Sequence, residues 1–512
     1  MIVNMKNTSN VTISEVPVSK IKDVANQLYN KKRLPLLMIT ATDERVDEKC
    51  FKIWYLFGVP KKNIFIANFI RLTNTNKFPS ITSIVNESWN YERKIKSFFG
   101  LIPEGHPDER PIVLHENWPT NIFPLRKDFD PSKKIPIAKG EYQFQKVEGE
   151  GIYEIPVGPI HAGIIEPGYF RFSVAGEEIV NLEAKLGFVH KGSEKLFESL
   201  PIDKKIELSE KISGDSSFSH SLAFCQAVES LGEVLPSKRA LYLRVIFAEL
   251  ERLANHIGDI GAIMGDTGFN FGQAQASRIR EQIMQINERL TESRFLRGTN
   301  IIGGVTKDIK NGQKKILSDE LQKIAQDFME IIDIAENNVS LLNRLKGTGM
   351  ISKEFALYYG ALGIASRADG IEKDARVDFP YARYGELADQ EIKIEKTGDV
   401  YSRYRVRVRE VISSIKIIQK ALKKLPAGEI GKINKNIKLK KNSIAFGIVE
   451  GWRGEIVYFI TTDKNGNISR VAPRDPSFIN WSLLGNAGLG DVVPDFPLIN
   501  KSFNLSYSGN DL

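Results

Sequence analysis

The spacing of apolar residues changes twice along this chain. Leu34–Thr40, Phe51–Phe57 and Asn63–Leu72 are short apolar runs bounded by polar residues. Runs of that length predict strands. Ile81 to Phe99 predicts a helix, so residues 1–130 read as a small α+β domain. Phe129–Gly151 is rich in Pro, Lys and Gly and has no period, which predicts a linker over 131–151.

Beyond the linker, Pro156, Gly158, Pro159, Gly163, Pro167 and Gly168 crowd a segment that reads as strands and turns up to about residue 200. A helical period then takes over. Leu243, Phe247, Leu250, Ala254, Ile257 and Gly261 recur at spacings of four and three. Ile279, Ile283, Ile286 and Leu290 repeat the pattern, as do Leu317, Leu321, Ile324, Phe328 and Ile331. Tyr404, Val408, Val411, Ile415, Ile418 and Leu422 form a fourth stripe. Four such stripes predict helices packed as a bundle. From Ala445 the period shortens again, and Asp463-Lys-Asn-Gly-Asn467 between Ile456–Thr462 and Ile468–Ala472 is a hairpin signal. The expected fold class is α+β: a small first domain, then a larger one over 152–512 with a central helical bundle flanked by β segments.

A chain of 512 residues and 42% apolar content can bury large cores. Its net charge of +8 is spread out, with short clusters such as Lys438–Lys441 and no basic arm with interleaved aromatics. Nucleic acid is therefore not an expected partner. No stretch approaches the roughly 18 apolar residues that span a bilayer. Met1 to Ser19 holds no apolar run that could act as a signal. The expectation is a soluble, non-secreted chain that can dock on a membrane protein. Two cysteines, Cys50 and Cys225, make no disulfide framework and cannot build a four-cysteine metal cluster. No glycine-rich nucleotide fingerprint follows a clear strand, so the chain itself is not expected to bind NADH.

Two blocks of motifs carry a family resemblance. Glu92-Arg93, Phe99-Gly100, Gly105-His106-Pro107 and Pro124-Leu-Arg-Lys-Asp128 follow one another in order. This block resembles the signature of the 30 kDa-type (C-type) component of NADH:quinone oxidoreductase, complex I. From residue 156 to about 485 come Ile160-His-Ala-Gly163, Glu166-Pro-Gly168, Gly187-Phe-Val-His-Lys-Gly192, Glu251-Arg252, Gly303-Gly-Val305, Arg367-Ala-Asp-Gly370, Asp374-Ala-Arg376, Arg453-Gly-Glu455 and Arg474-Asp-Pro-Ser-Phe478. This second block is similar to the 49 kDa-type (D-type) component of the same complex, and to the large subunit of group 4 nickel–iron hydrogenases. Fusion of the two in one polypeptide resembles the hydrogenase-4 and formate-hydrogenlyase branch.

The resemblance implies an oxidoreductase subunit on the cytoplasmic side of the cell membrane. Its implied partners are an iron–sulfur small subunit of the complex I B type, a membrane subunit of the H type and antiporter-like membrane subunits that move ions. The iron–sulfur cluster lies in the partner, and nucleotide binds on yet another component.

One departure decides the expected chemistry. Group 4 hydrogenases hold nickel and iron with two Cys-x-x-Cys pairs. Ser213 and Ser216 stand in the places of the first pair, four residues before His220, and Leu505 and Ser508 in those of the second. A serine hydroxyl stays protonated near neutral pH and is a hard donor, whereas nickel in such a site needs soft thiolates. The expected metal set is therefore empty, this chain is expected to bind no redox cofactor of its own, and hydrogen chemistry is not expected.

In complex I the corresponding cavity receives the quinone headgroup. The resemblance thus assigns catalytic roles to His161, Asp215, His220 and Asp266, and acceptor-binding roles to His161, Ser213, Ser216, Arg367 and Asp374. The tyrosine that hydrogen-bonds quinone in complex I aligns with Gly214. A rival reading keeps the chain as a scaffold or conformational coupler with a degenerate site. For His256, within a helical stripe, a structural role is expected, and for Cys225 an inert buried thiol. Arg367, Asp374, Arg376 and Asp378 read equally well as an ionic network that holds a loop.

Overall fold

The computed structural model of the chain describes residues 3–8, 10–389, 391–432 and 437–512. Of the polar N-terminal segment, residues 1, 2 and 9 lie outside the described residues. The first part is a five-stranded sheet in the order Val3–Thr8, Val11–Glu15, Ile64–Leu72, Cys50–Val59, Leu36–Glu44. Val11–Glu15 and Ile64–Leu72 run parallel; the other pairs are antiparallel. The three predicted strands are all present. The two preceding ones have too weak an apolar alternation to stand out in the sequence.

The helix expected from Ile81 begins only at Trp89 and runs to Phe99, after a single tight turn over Asn86–Ser88. The cause is Glu92, whose buried carboxylate accepts from Ile81 N at 2.8 Å and from the Ser80 and Thr82 hydroxyls. Those bonds hold residues 80–82 as a turn, which competes with helix.

Residues 131–151 carry no helix or strand. The segment is strapped down nonetheless. Ala138 N donates to Asn117 O at 2.8 Å, and Glu183 accepts from Tyr142 Oη at 3.1 Å and Gln145 N at 2.9 Å. Beyond it, Ile152–Val157, Tyr169–Ala175 and Glu178–Lys185 form an antiparallel sheet. Ser193–Ser199, expected as strand or turn, is a short helix.

All four apolar stripes lie on helices: Lys238–Asp266, Asn270–Thr291, Asn311–Glu336 and Val400–Lys424. The first packs along the second and the fourth and forms the centre of the bundle. The hairpin signal sits between Gly454–Thr462 and Ile468–Arg474, where Asp463 accepts from Asn465 N and Asn467 N at 2.8 Å each. Together with Ile444–Gly451 they make a third sheet. Helix Ser217–Gly232 crosses this sheet so closely that a Cβ on Gly447 would lie 1.8 Å from Ala223 O, which only glycine avoids. The chain then continues as three helices, Ser477–Ala487, Phe496–Phe503 and Tyr507–Asp511.

The two parts share one core. Trp54 packs against Phe459 with centroids 5.6 Å apart, and Tyr91 meets Phe478 at 5.3 Å. A buried ionic cluster joins them as well: Glu194 pairs with Lys94 at 2.7 Å and with Arg470 at 2.6 Å. No helix among the described residues is long and apolar enough to cross a membrane.

Candidate functional site

Helix Ser217–Gly232 is preceded by the turn Lys211–Ser216, and Glu251 fixes the junction. Its carboxylate accepts from Phe218 N at 2.6 Å and Ser219 N at 3.1 Å, which satisfies helix-end donors that would otherwise be buried without partners. Burial pushes the Glu251 carboxyl up to about 7, against these bonds. The serine-bearing turn faces the chain's tail: Ser213 Oγ lies 2.8 Å from Ser506 Oγ.

Arg453 holds the turn from the side. Its guanidinium forms two parallel bonds to Asp215, Nη1–Oδ1 at 2.6 Å and Nη2–Oδ2 at 2.7 Å. Nη1 also reaches Ser213 Oγ at 3.3 Å and Ser216 Oγ at 3.4 Å, and the guanidinium lies 3.8 Å over the Trp452 ring. Trp452 Nε1 and Asn255 Nδ2 both donate to Asp215 O. Burial opposes charge on Asp215, but the Arg453 guanidinium outweighs it and keeps the carboxyl below its usual range. The Asp215 side chain is 38% exposed and Arg453 only 5%, so the acid faces open space and the base is enclosed.

That open space is a cavity of about 580 Å³ between the serine turn, the loop His161–Glu166, and the tail. Phe170, Phe295, Phe496 and Leu505 are among the apolar residues of its lining. His161, Ser213, Asp215 and Asp266 all line it. Asp266 ends helix Lys238–Asp266 and is exposed; partial desolvation of its carboxyl holds it above the usual value, with Lys501 acting in opposition. Burial lowers His161, and its Nε2 lies 3.3 Å from Tyr507 Oη.

The other assigned residues lie elsewhere. Ser216 is buried behind Asp215 and is not part of the wall. His220 is wholly enclosed one turn into the helix, with Nε2 3.0 Å from Asp475 Oδ2 and Nδ1 3.1 Å from Tyr458 Oη. Its place supports the floor of the turn; it does not reach the cavity. Arg367 and Asp374 belong to a separate buried ionic seam. Arg367 meets Glu450 and Glu410 at 2.8 Å each, and Asp374 binds Arg376 at 2.7 Å. Arg376 in turn reaches Glu249 at 3.3 Å. These residues hold the loop 367–378 to the bundle, which is the ionic-network alternative. His256 Nε2 donates to the Glu410 carboxylate at 2.9 Å in the same seam, and burial pushes the imidazole down to about 4.

Sequence reasoning passes over Tyr507, Asn500, Ser506 and Arg297, all of which line the cavity. Tyr507 has a signal within reach, since it precedes Ser508, which the resemblance sets in the place of a metal-binding cysteine. Arg453 reads only as a family marker in the sequence; its role needs the fold, which brings it across 238 residues to Asp215.

Two family models match parts of the chain. The family model of the respiratory-chain NADH dehydrogenase 30 kDa subunit matches residues 14–134, and that of the 49 kDa subunit matches residues 266–447. Formate hydrogenlyase subunit 5 of Escherichia coli is 31% identical over 97% of this chain and 88% of its own length. Hydrogenase-4 component G of the same organism is 31% identical over 98% and 88%. The fused C/D subunit of NADH-quinone oxidoreductase from Phocaeicola vulgatus is 29% identical over 87% and 89%. Fold, cavity and relatives together define an oxidoreductase subunit. The chain belongs to the complex I and membrane-bound hydrogenase family, in the form that fuses the 30 kDa and 49 kDa parts.

Proposed function

We propose that this chain forms the pocket in which electrons from a neighbouring iron–sulfur subunit meet an organic acceptor, a quinone, without a nickel–iron centre. One observation carries the reading: the Arg453 guanidinium lies against Ser213 and Ser216 and is neutralised by Asp215. The guanidinium occupies the lone pairs of both hydroxyls, which are then not free for a metal. The remaining donors do not fit nickel either, since hydroxyls are hard and protonated and Leu505 offers no donor atom. Among the described residues, no group of three or more His, Cys, Asp and Glu side chains is placed to hold a metal ion.

The apolar residues of the cavity suit an organic ring, and its polar groups suit a carbonyl oxygen. His161, neutral at physiological pH because burial lowers it, meets that oxygen by hydrogen bonding. Asp266 stands at the mouth, where its raised carboxyl can exchange protons with solvent. Asp215 stays ionised and balances Arg453; it does not donate protons. An iron–sulfur cluster on the partner subunit would supply the electrons. The family relation supports docking on a membrane complex through B-type and H-type partners like those of complex I, with antiporter-like subunits beyond them, on the cytoplasmic side.

Assays of the purified complex test this. Reduction of a short-chain quinone that falls at least about tenfold in His161→Ala or Asp266→Asn is the expected result. An intact complex that reduces no quinone, or whose rate is indifferent to both changes, favours the scaffold reading.

A further inference from the structure

The polar groups of the cavity are not equally free to meet a ligand. Asp215 and Arg453 satisfy each other through two bonds. Ser213 is engaged with Asp215 at 3.0 Å and with Ser506 at 2.8 Å. Asp266 and Arg297 are exposed at the rim. Of the uncharged groups inside, three converge: His161 Nε2, the Tyr507 hydroxyl 3.3 Å from it, and the Asn500 amide, which approaches the same hydroxyl. A contact of 3.3 Å is long for O–H to nitrogen, so the pair is weakly committed and can open around a third atom.

Tyr507 is held firmly in this position. The residue is 4% exposed, and its ring meets Trp481 edge-on with centroids 4.8 Å apart. A Cβ on Gly168 would lie 2.4 Å from its Cε1, so the turn Glu166–Gly168 leaves the space its ring fills. The short helix that carries it is fastened at both ends. Ser508 N donates to Glu166 at 2.9 Å, and Asp511 accepts from Gly187 N and Val189 N at 3.0 Å each. A donor fixed this way loses little freedom on binding.

We propose that Tyr507, with His161 and Asn500, forms the notch that receives one oxygen of a neutral carbonyl-bearing headgroup, and that Tyr507 is its principal hydrogen-bond donor. The inference rests on the reading of the cavity as an acceptor site and adds the group that recognises the acceptor. An uncharged headgroup fits the notch because Tyr507 and Asn500 are neutral groups and Arg453 is already paired with Asp215; the other cations of the lining, Lys501 and Arg297, are half-buried and exposed respectively. The headgroup ring lies toward Phe170, whose ring centroid is 5.5 Å from that of His161, and Phe496, 5.0 Å from Phe170.

In the purified complex, Tyr507→Phe keeps the packed ring and removes only the O–H. The expected result is a rise of about fivefold in KM for a short-chain benzoquinone, with kcat and melting temperature little changed, as for loss of one neutral hydrogen bond. An unchanged KM in an active complex overturns this proposal and leaves the acceptor reading standing. A fall in kcat and melting temperature at constant KM assigns Tyr507 to packing and overturns it too. Wild-type complex that reduces no quinone overturns the acceptor reading and the proposal with it. Should the variant fail to assemble, fluorotyrosine placed at Tyr507 keeps the hydroxyl. Its fluorine resonance is expected to move on addition of the quinone, and a resonance that does not move overturns the proposal.

Discussion

The Asp215–Arg453 pair has the bidentate geometry in which a guanidinium and a carboxylate bind most strongly. Arg453→Met leaves the acid facing the cavity with no cation, and a loss of about 2 kcal/mol in unfolding free energy is expected. That is below the roughly 3–5 kcal/mol of a fully buried pair, since Asp215 keeps some contact with solvent. Denaturant titration checks the value. Asp215→Asn keeps only one acceptor, turns an amide N–H toward Nη2 and leaves the enclosed Arg453 without its counter-charge, so a loss at least as large is expected. Glu251 gives a pH signature of opposite sign to an ordinary ion-paired acid. Its folded carboxyl titrates at about 7 against an ordinary 4.5, so the folded chain binds the proton more tightly. Stability is then highest below pH 4.5 as far as this group is concerned, falls as pH rises toward 7, and is level above it. Glu251→Gln is expected to flatten that fall, which is measurable from melting temperatures across the range. Of the cavity wall, His161, Ser213, Asp215 and Asp266 are legible in the sequence because motif order fixes their place. Tyr507 and Asn500 are not, because their position depends on how the tail folds back. His220 is misplaced by motif order alone because helix phase turns it inward within one turn.

Helices Lys238–Asp266 and Val400–Lys424 show why apolar spacing alone gives the elements but not their contents. Each carries the predicted apolar stripe, and each carries a polar stripe facing the other. His256 meets Glu410 at 2.9 Å, and Asp259 meets Arg407 at 2.9 Å. Glu249 also accepts from Ser414. Such residues read as surface in a sequence, since charges are seldom buried unpaired, and only the fold reveals that they pair across an interface. Glu410→Ala is expected to cost about 3–5 kcal/mol in denaturant titration, because Arg367, Arg252 and His256 lose a common partner. The strands Val3–Thr8 and Val11–Glu15 and the late start of helix Trp89–Phe99 escape the sequence for local reasons. A weak alternation hides the strands, and side-chain bonds to Glu92 delay the helix. At the tail, Gly168→Ala is expected to push the Tyr507 ring away and lower stability by about 1–3 kcal/mol, with a matching drop in melting temperature.

Across the whole molecule, the fused parts are joined by a common apolar core and by the buried Lys94–Glu194–Arg470 cluster. A single cooperative calorimetric transition is therefore expected for the chain. Two separate transitions would mean that the shared core contributes little. The same architecture sets the cavity between the loop His161–Glu166, the turn before helix Ser217–Gly232 and the folded-back tail, so its lining reports on the long-range fold. That lining presents the Ser213 and Ser508 hydroxyls, the Leu505 side chain and the Asp215–Arg453 pair. The most direct measurement is the nickel content of the purified, fully assembled complex by elemental analysis. The account predicts far less than one nickel per copy of this chain, alongside iron from the partner's clusters; a ratio near one would contradict it.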